Sequence, residues 1–76
     1  MTDFRTIATV RKNGLEEVRV RVTAGDGYPL VDMRVFSLAG RRRGEPVSTR
    51  AGICVPRDQL PALIEALQAA EREASR

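Results

Sequence analysis

Apolar and polar side chains alternate with a period of two through most of residues 4–55, and the period lengthens to that of a helix afterwards. The cleanest alternation is Glu16 to Thr23, where Val18, Val20 and Val22 point one way and Arg19 and Arg21 the other. Tyr28 to Phe36 repeats it, with Val31, Met33 and Val35 on one side and Leu30, Asp32, Arg34 and Phe36 on the other. Pro46 to Val55 makes a further strand: Val47, Thr49, Ala51, Ile53 and Val55 share one side, and Ser48, Arg50, Gly52 and Cys54 the other. Phe4 to Lys12 is rich in Thr, Ile and Val, but its alternation is imperfect and leaves its face open.

Turn chemistry separates these strands. Asn13-Gly14 and Ala24-Gly25-Asp26-Gly27 supply residues that tolerate positive φ. Neither has the spacing of a phosphate-binding glycine motif. Pro29 suits the start of a strand, where its missing N–H costs least. Ala39 to Gly44, with Arg41, Arg42 and Arg43, reads as an exposed basic loop. From about Arg57, Leu60, Leu63, Ile64 and Leu67 fall at i, i+3, i+4 and i+7, one apolar stripe on a helix that frays near Ser75. Asp58 is its candidate N-cap, which puts Pro61 in the first turn. Residues 1–76 thus read as one ββββα domain, an α+β fold with a four-stranded antiparallel sheet and a C-terminal helix.

Composition limits what such a domain can do. At 76 residues, burial within one chain seldom yields more than about 3 to 5 kcal/mol of net stability. With Cys54 the lone cysteine and no histidine, neither an internal disulfide nor a conventional zinc site is available, so no metal or cofactor is expected. A homodimer is the expected source of further burial, with the Leu60, Leu63, Ile64 and Leu67 stripe serving both core and interface. No apolar run is long enough to span a membrane, and the first residues lack a secretion signal, so a cytoplasmic protein without a membrane or small-molecule partner is expected. The net charge of +3 is uneven: residues 1–56 carry ten Lys or Arg against six Asp or Glu, and residues 57–76 three against four. The positive charge belongs to the strands, which suits a polyanion on the sheet.

If the apolar sides of the strands meet the helix, Arg19, Arg21, Arg34, Arg50 and Phe36 share the opposite face. Guanidiniums hold phosphates, and an aromatic ring stacks on an unpaired base. No basic recognition helix is present for a duplex groove. The plainer reading is a solubilising surface. Asp32 reads as an ion-pair partner of Arg34 or of an arginine on a neighbouring strand, and Cys54, without a histidine base, as an inert, partly buried thiol. No catalytic residue emerges.

From Val20 to Phe36 and again from Thr49 to Leu60 the chain resembles the DNA-binding domain of the transcriptional positive cofactor four family, including its bacterial relatives. The resemblance rests on Val20-Arg21-Val22, Gly27, Leu30-Val31-Asp32-Met33-Arg34-Val35-Phe36, then Thr49-Arg50-Ala51-Gly52-Ile53-Cys54-Val55 and Asp58-Gln59-Leu60. It implies a curved sheet backed by a helix, a homodimer, and a basic, partly aromatic surface for unpaired DNA, with transcription machinery as a further partner. A bacterial member would be associated with the nucleoid. Arg34 and Arg50 take basic places of the motif and Phe36 an aromatic one; Arg19, Arg21 and Arg41 to Arg43 join the binding set by charge and position. Ser37, Gly25, Ala51 and Leu60 depart from the pattern, at places where the family has aromatic or basic residues. Stacking contributes about 1 to 3 kcal/mol per base, so binding that is weaker and more salt-sensitive is expected. An RNA-binding version and a module that recruits an acidic protein partner are the alternatives.

Overall fold

The computed structural model describes the backbone of residues 3–24, 27–42 and 44–76, and their side chains except those of 24, 41 and 42. Four strands, β1 (Asp3–Asn13), β2 (Glu16–Ala24), β3 (Leu30–Arg42) and β4 (Glu45–Pro56), form one antiparallel sheet in the order β1-β2-β3-β4. A single 3-10 turn, Arg57–Gln59, leads into the helix α1 (Leu60–Ala74). The alternation in β2 and β3 sets their register: Arg19 lies opposite Arg34, Val20 opposite Met33 and Arg21 opposite Asp32. The expected order and class of elements are therefore present.

Three boundaries differ from the sequence expectation. β3 begins at Leu30 rather than Tyr28, because Pro29 has no N–H to offer the ladder and Tyr28 lies in the preceding bend. The same strand runs on through Ala39 and Gly40 to Arg42, where a loop was expected. Arg42 pairs with Glu45, and Gly44, at φ +81°, accepts the tight reversal that replaces a longer connection. Asp58 does not cap the helix: it sits within the 3-10 turn, and the N-cap is Gln59 without a side-chain bond. Pro61 does fall in the first helical turn.

The larger correction concerns the helix. In the single chain α1 makes little contact with the sheet, and none of its residues is buried. Leu60 and Leu63 are half-buried, whereas Ile64 and Leu67 are 46% and 51% exposed. The valine side of the sheet is half-exposed as well. Among the described residues nothing is placed to cover both surfaces together. The consequence is an open shape, with a radius of gyration of 13.9 Å against about 11 Å for a compact chain of this length. Likewise 5992 Å² of surface is accessible, where a compact monomer of this mass shows about 4600 Å².

β4 is irregular where it passes the middle of β3. Between the Arg34–Gly52 and Phe36–Ser48 pairs it carries extra residues. Thr49 repairs the ladder, its hydroxyl donating to the Val35 carbonyl at 2.8 Å and accepting the Ala51 N–H at 3.2 Å. Gly52 closes the bulge at φ +150°, and a Cβ there would collide with the Met33 carbonyl oxygen and come within 2.9 Å of Arg34 Cα. Gly52→Ala should therefore cost at least about 2 kcal/mol. Urea unfolding at matched protein concentration checks this.

Candidate functional site

The period-two pattern of β2 and β3 places Arg19, Arg21, Arg34, Asp32 and Phe36 on one face, together with Glu17. The expectation that this face is the outer one needs correction: it holds the most buried side chains described. Asp32 is 1% exposed and Phe36 8%, and Glu17 is buried beside them. Guanidinium heads lie over the rings and against the carboxylates and cover them, while the arginine side chains themselves stay partly solvated.

Asp32 is the hub. Its Oδ2 accepts from Arg21 Nη2 at 2.7 Å and Nε at 3.1 Å, and its Oδ1 accepts from Arg34 Nη2 at 2.6 Å. Arg34 Nη1 in turn donates to the Arg50 carbonyl at 2.9 Å, so one carboxylate links β2, β3 and β4. Both pairings considered from the sequence are made. Burial alone would raise the Asp32 pKa, but the hydrogen bonds from Arg34 and Arg21 outweigh it and hold the carboxyl below its ordinary value. Arg19 Nε is held by Glu17 at 2.7 Å.

The same guanidiniums cover the aromatic rings. Arg19 lies 4.4 Å from the Phe36 ring centre and Arg21 5.3 Å, while Arg21 also stands 4.4 Å over Phe4. Phe36 is thus a floor beneath arginines, and a base could reach it only by displacing Arg19. Phe4 and Glu17 were not singled out from the sequence. Glu17 becomes visible once the register sets it opposite Phe36, and Phe4 lies opposite Thr23, on the arginine face. Arg11, opposite Glu17 and exposed, joins that face by the same logic.

The remaining candidates are dispersed. Arg50 lies in the β4 bulge, exposed, and its side chain has no ion-pair partner among the described residues. Arg41 and Arg42 end β3, with side chains outside the described set, and Arg43 lies outside the described residues altogether. Leu60, Leu63, Ile64 and Leu67 are on α1, which makes little contact with the sheet that carries the arginines. Cys54, opposite Asp32 on β4, is exposed rather than partly buried, since β4 is an edge strand of the described sheet. Among the described residues no cluster suits a metal ion, and no helix is long and apolar enough to cross a membrane.

Neither a protein-family model nor a curated protein matches the chain. It is similar to solved structures of a PC4 homolog from Burkholderia pseudomallei. In the orthorhombic crystal form the TM-score is 0.80 at 32% identity, covering 93% of each chain. In the tetragonal form it is 0.77 at 30% identity, covering 91% of this chain and 98% of the other.

The Asp32 pairing carries a pH signature. Its carboxyl binds a proton less readily when folded than at its ordinary value of 3.8, so its stabilisation is complete above that value and is lost as pH falls through the lower folded one. Asp32→Asn should unfold more easily than wild type at neutral pH. The gap between them should shrink from about pH 5 to about pH 2 in urea melts.

Proposed function

The chain belongs to the PC4 family as a bacterial-type member, and on that premise we propose that it is a non-catalytic, homodimeric single-stranded-DNA-binding protein acting in transcription or genome maintenance. The observation that carries this reading is the array of Arg19, Arg21 and Arg34 on one sheet face, oriented before any ligand arrives by Glu17 and Asp32. Orientation matters because a guanidinium fixed by a carboxylate spends less entropy on meeting a phosphate with its remaining N–H groups.

Charge decides how strong that contact is. Three guanidiniums face two carboxylates, so the array carries a surplus of one positive charge. Arg50 and Arg11, both exposed, add the rest along its border. With Phe36 covered, binding draws chiefly on phosphates and little on stacking at that ring. The footprint is electrostatic and suits a flexible single strand that can follow the sheet.

The open shape supports the dimer. The surplus over a compact monomer is about 1400 Å², above the roughly 800 Å² that each partner contributes to a standard stable interface. The exposed Ile64 and Leu67 lie on the surface that a second copy would cover.

Labelled single-stranded DNA, duplex DNA and RNA, titrated at two salt concentrations, test the binding. Single-stranded DNA should bind tightest, with log affinity falling against log salt by about 0.7 for each phosphate neutralised. Arg50→Ala should weaken binding and flatten that slope by about 0.7 without loss of stability. Affinities for duplex DNA equal to those for single strands would overturn the reading, and preference for RNA would move it to that ligand. For the assembly, sedimentation should give twice the 8.4 kDa chain mass, and Leu67→Glu should shift it toward monomer or unfolded chain.

A further inference from the structure

Of the three aromatic residues in the chain, two are covered by arginines; the third, Tyr28, is 63% exposed. It stands at the wall of a recess of about 380 Å³ that it shares with Pro29, Arg57, Asp58 and Pro61. The recess forms where the β3–β4 ladder ends: Leu30 pairs with Pro56, and the Arg57 N–H donates to the Pro29 carbonyl at 3.1 Å. This draws the start of β3 against the 3-10 turn. Two proline rings give it rigid apolar walls, and its volume lies in the range, about 300 to 1000 Å³, of small-molecule sites.

The polar groups are sparse and differ in kind. Asp58 lines the recess together with Tyr28, and its carboxylate beside the phenol raises the Tyr28 pKa. Arg57 is exposed, with no ion-pair partner among the described residues. A flat ring, apolar walls, a carboxylate and a free guanidinium are the complement of one nucleotide. The ring stacks on a base, the carboxylate accepts from an exocyclic amino group, and the guanidinium meets the adjoining phosphate.

We propose that this recess holds one unstacked, amino-bearing nucleobase of the bound strand, stacked on Tyr28 and read by Asp58, with Arg57 on its phosphate. The inference rests on the single-stranded-DNA reading above and adds to it a base-contacting site and a preference for cytosine over thymine. It also places a stacking platform just after the turn, at a residue other than Gly25.

The chain contains one tyrosine and no tryptophan, so its intrinsic emission reports this residue alone. Saturation with oligo-dC should quench that emission. In anisotropy titrations of labelled oligomers, oligo-dC should bind tighter than oligo-dT, and Asp58→Asn should remove the difference. Tyr28→Ala should lose about 5- to 150-fold in affinity, the range for one stacked base, while Tyr28→Phe keeps most of it. Unchanged emission at saturation, equal affinity for the two homopolymers, or a Tyr28→Ala variant that binds like wild type overturns the site. Failure of the wild-type chain to bind any single strand would sink the single-stranded-DNA reading itself.

Discussion

A carboxylate shielded from water inside a sheet is costly unless its charge is met, and the arrangement of this molecule follows from how Asp32 is met. Arg21 reaches it from β2, Arg34 from β3, and Arg34 carries the link to the β4 backbone at Arg50. Three strands are thereby tied at one level of the sheet. The tie also fixes the head of Arg21, whose guanidinium lies over Phe4 and near Phe36, while Arg19, held by Glu17, covers Phe36. What would be a core of packed aliphatics in a larger domain is here a layer of guanidiniums, carboxylates and rings. Among the described residues every buried side-chain nitrogen or oxygen has a hydrogen-bond partner, as such a layer requires.

Placing the polar layer on this side has a cost on the other. Valines of β2 and β3, Ile53 of β4 and the α1 stripe remain half-exposed or exposed, and the helix does not fold back to cover them. The sheet edges are managed separately. β1 is exposed along most of its length, but a register shift at Ile7 and the charges of Arg5, Arg11 and Lys12 make it a poor template for further strands. The proposed self-association would bury the valine face and the α1 stripe without depending on the β1 edge.

How much of this was legible in the sequence depends on the range of the interaction concerned. Period-two alternation is local, and it places Val18, Val20 and Val22 opposite Arg19 and Arg21 with no knowledge of neighbours. The helix stripe and the glycine turns are local too. Which face is more buried is not, because it depends on guanidiniums from β2 lying over rings from β3 and β1. The continuation of β3 through Gly40 to Arg42 was hidden because Gly and three arginines resemble loop composition, while the ladder to Glu45 is a long-range fact. Gly52 looked like one small residue of a strand until the bulge showed that only a missing Cβ fits there. Asp58 looked like a helix cap from its position alone, and only the fold brings Tyr28 within reach of it.

The covering of the rings bears on how such a surface can discriminate a ligand. A guanidinium over an aromatic face contributes energy of the same order as a stacked base, about 0.5 to 2 kcal/mol against 1 to 3. Exchanging Arg19 for a base at Phe36 would therefore change the free energy little, and the freed arginine would have to find a phosphate to make the exchange favourable. On the proposed reading, an array of this kind would sense the backbone charge of a strand more than its bases. On that reading, base-dependent affinity would have to come from a ring that no arginine already occupies, and among the three aromatics that leaves Tyr28, beside the only 3-10 turn described.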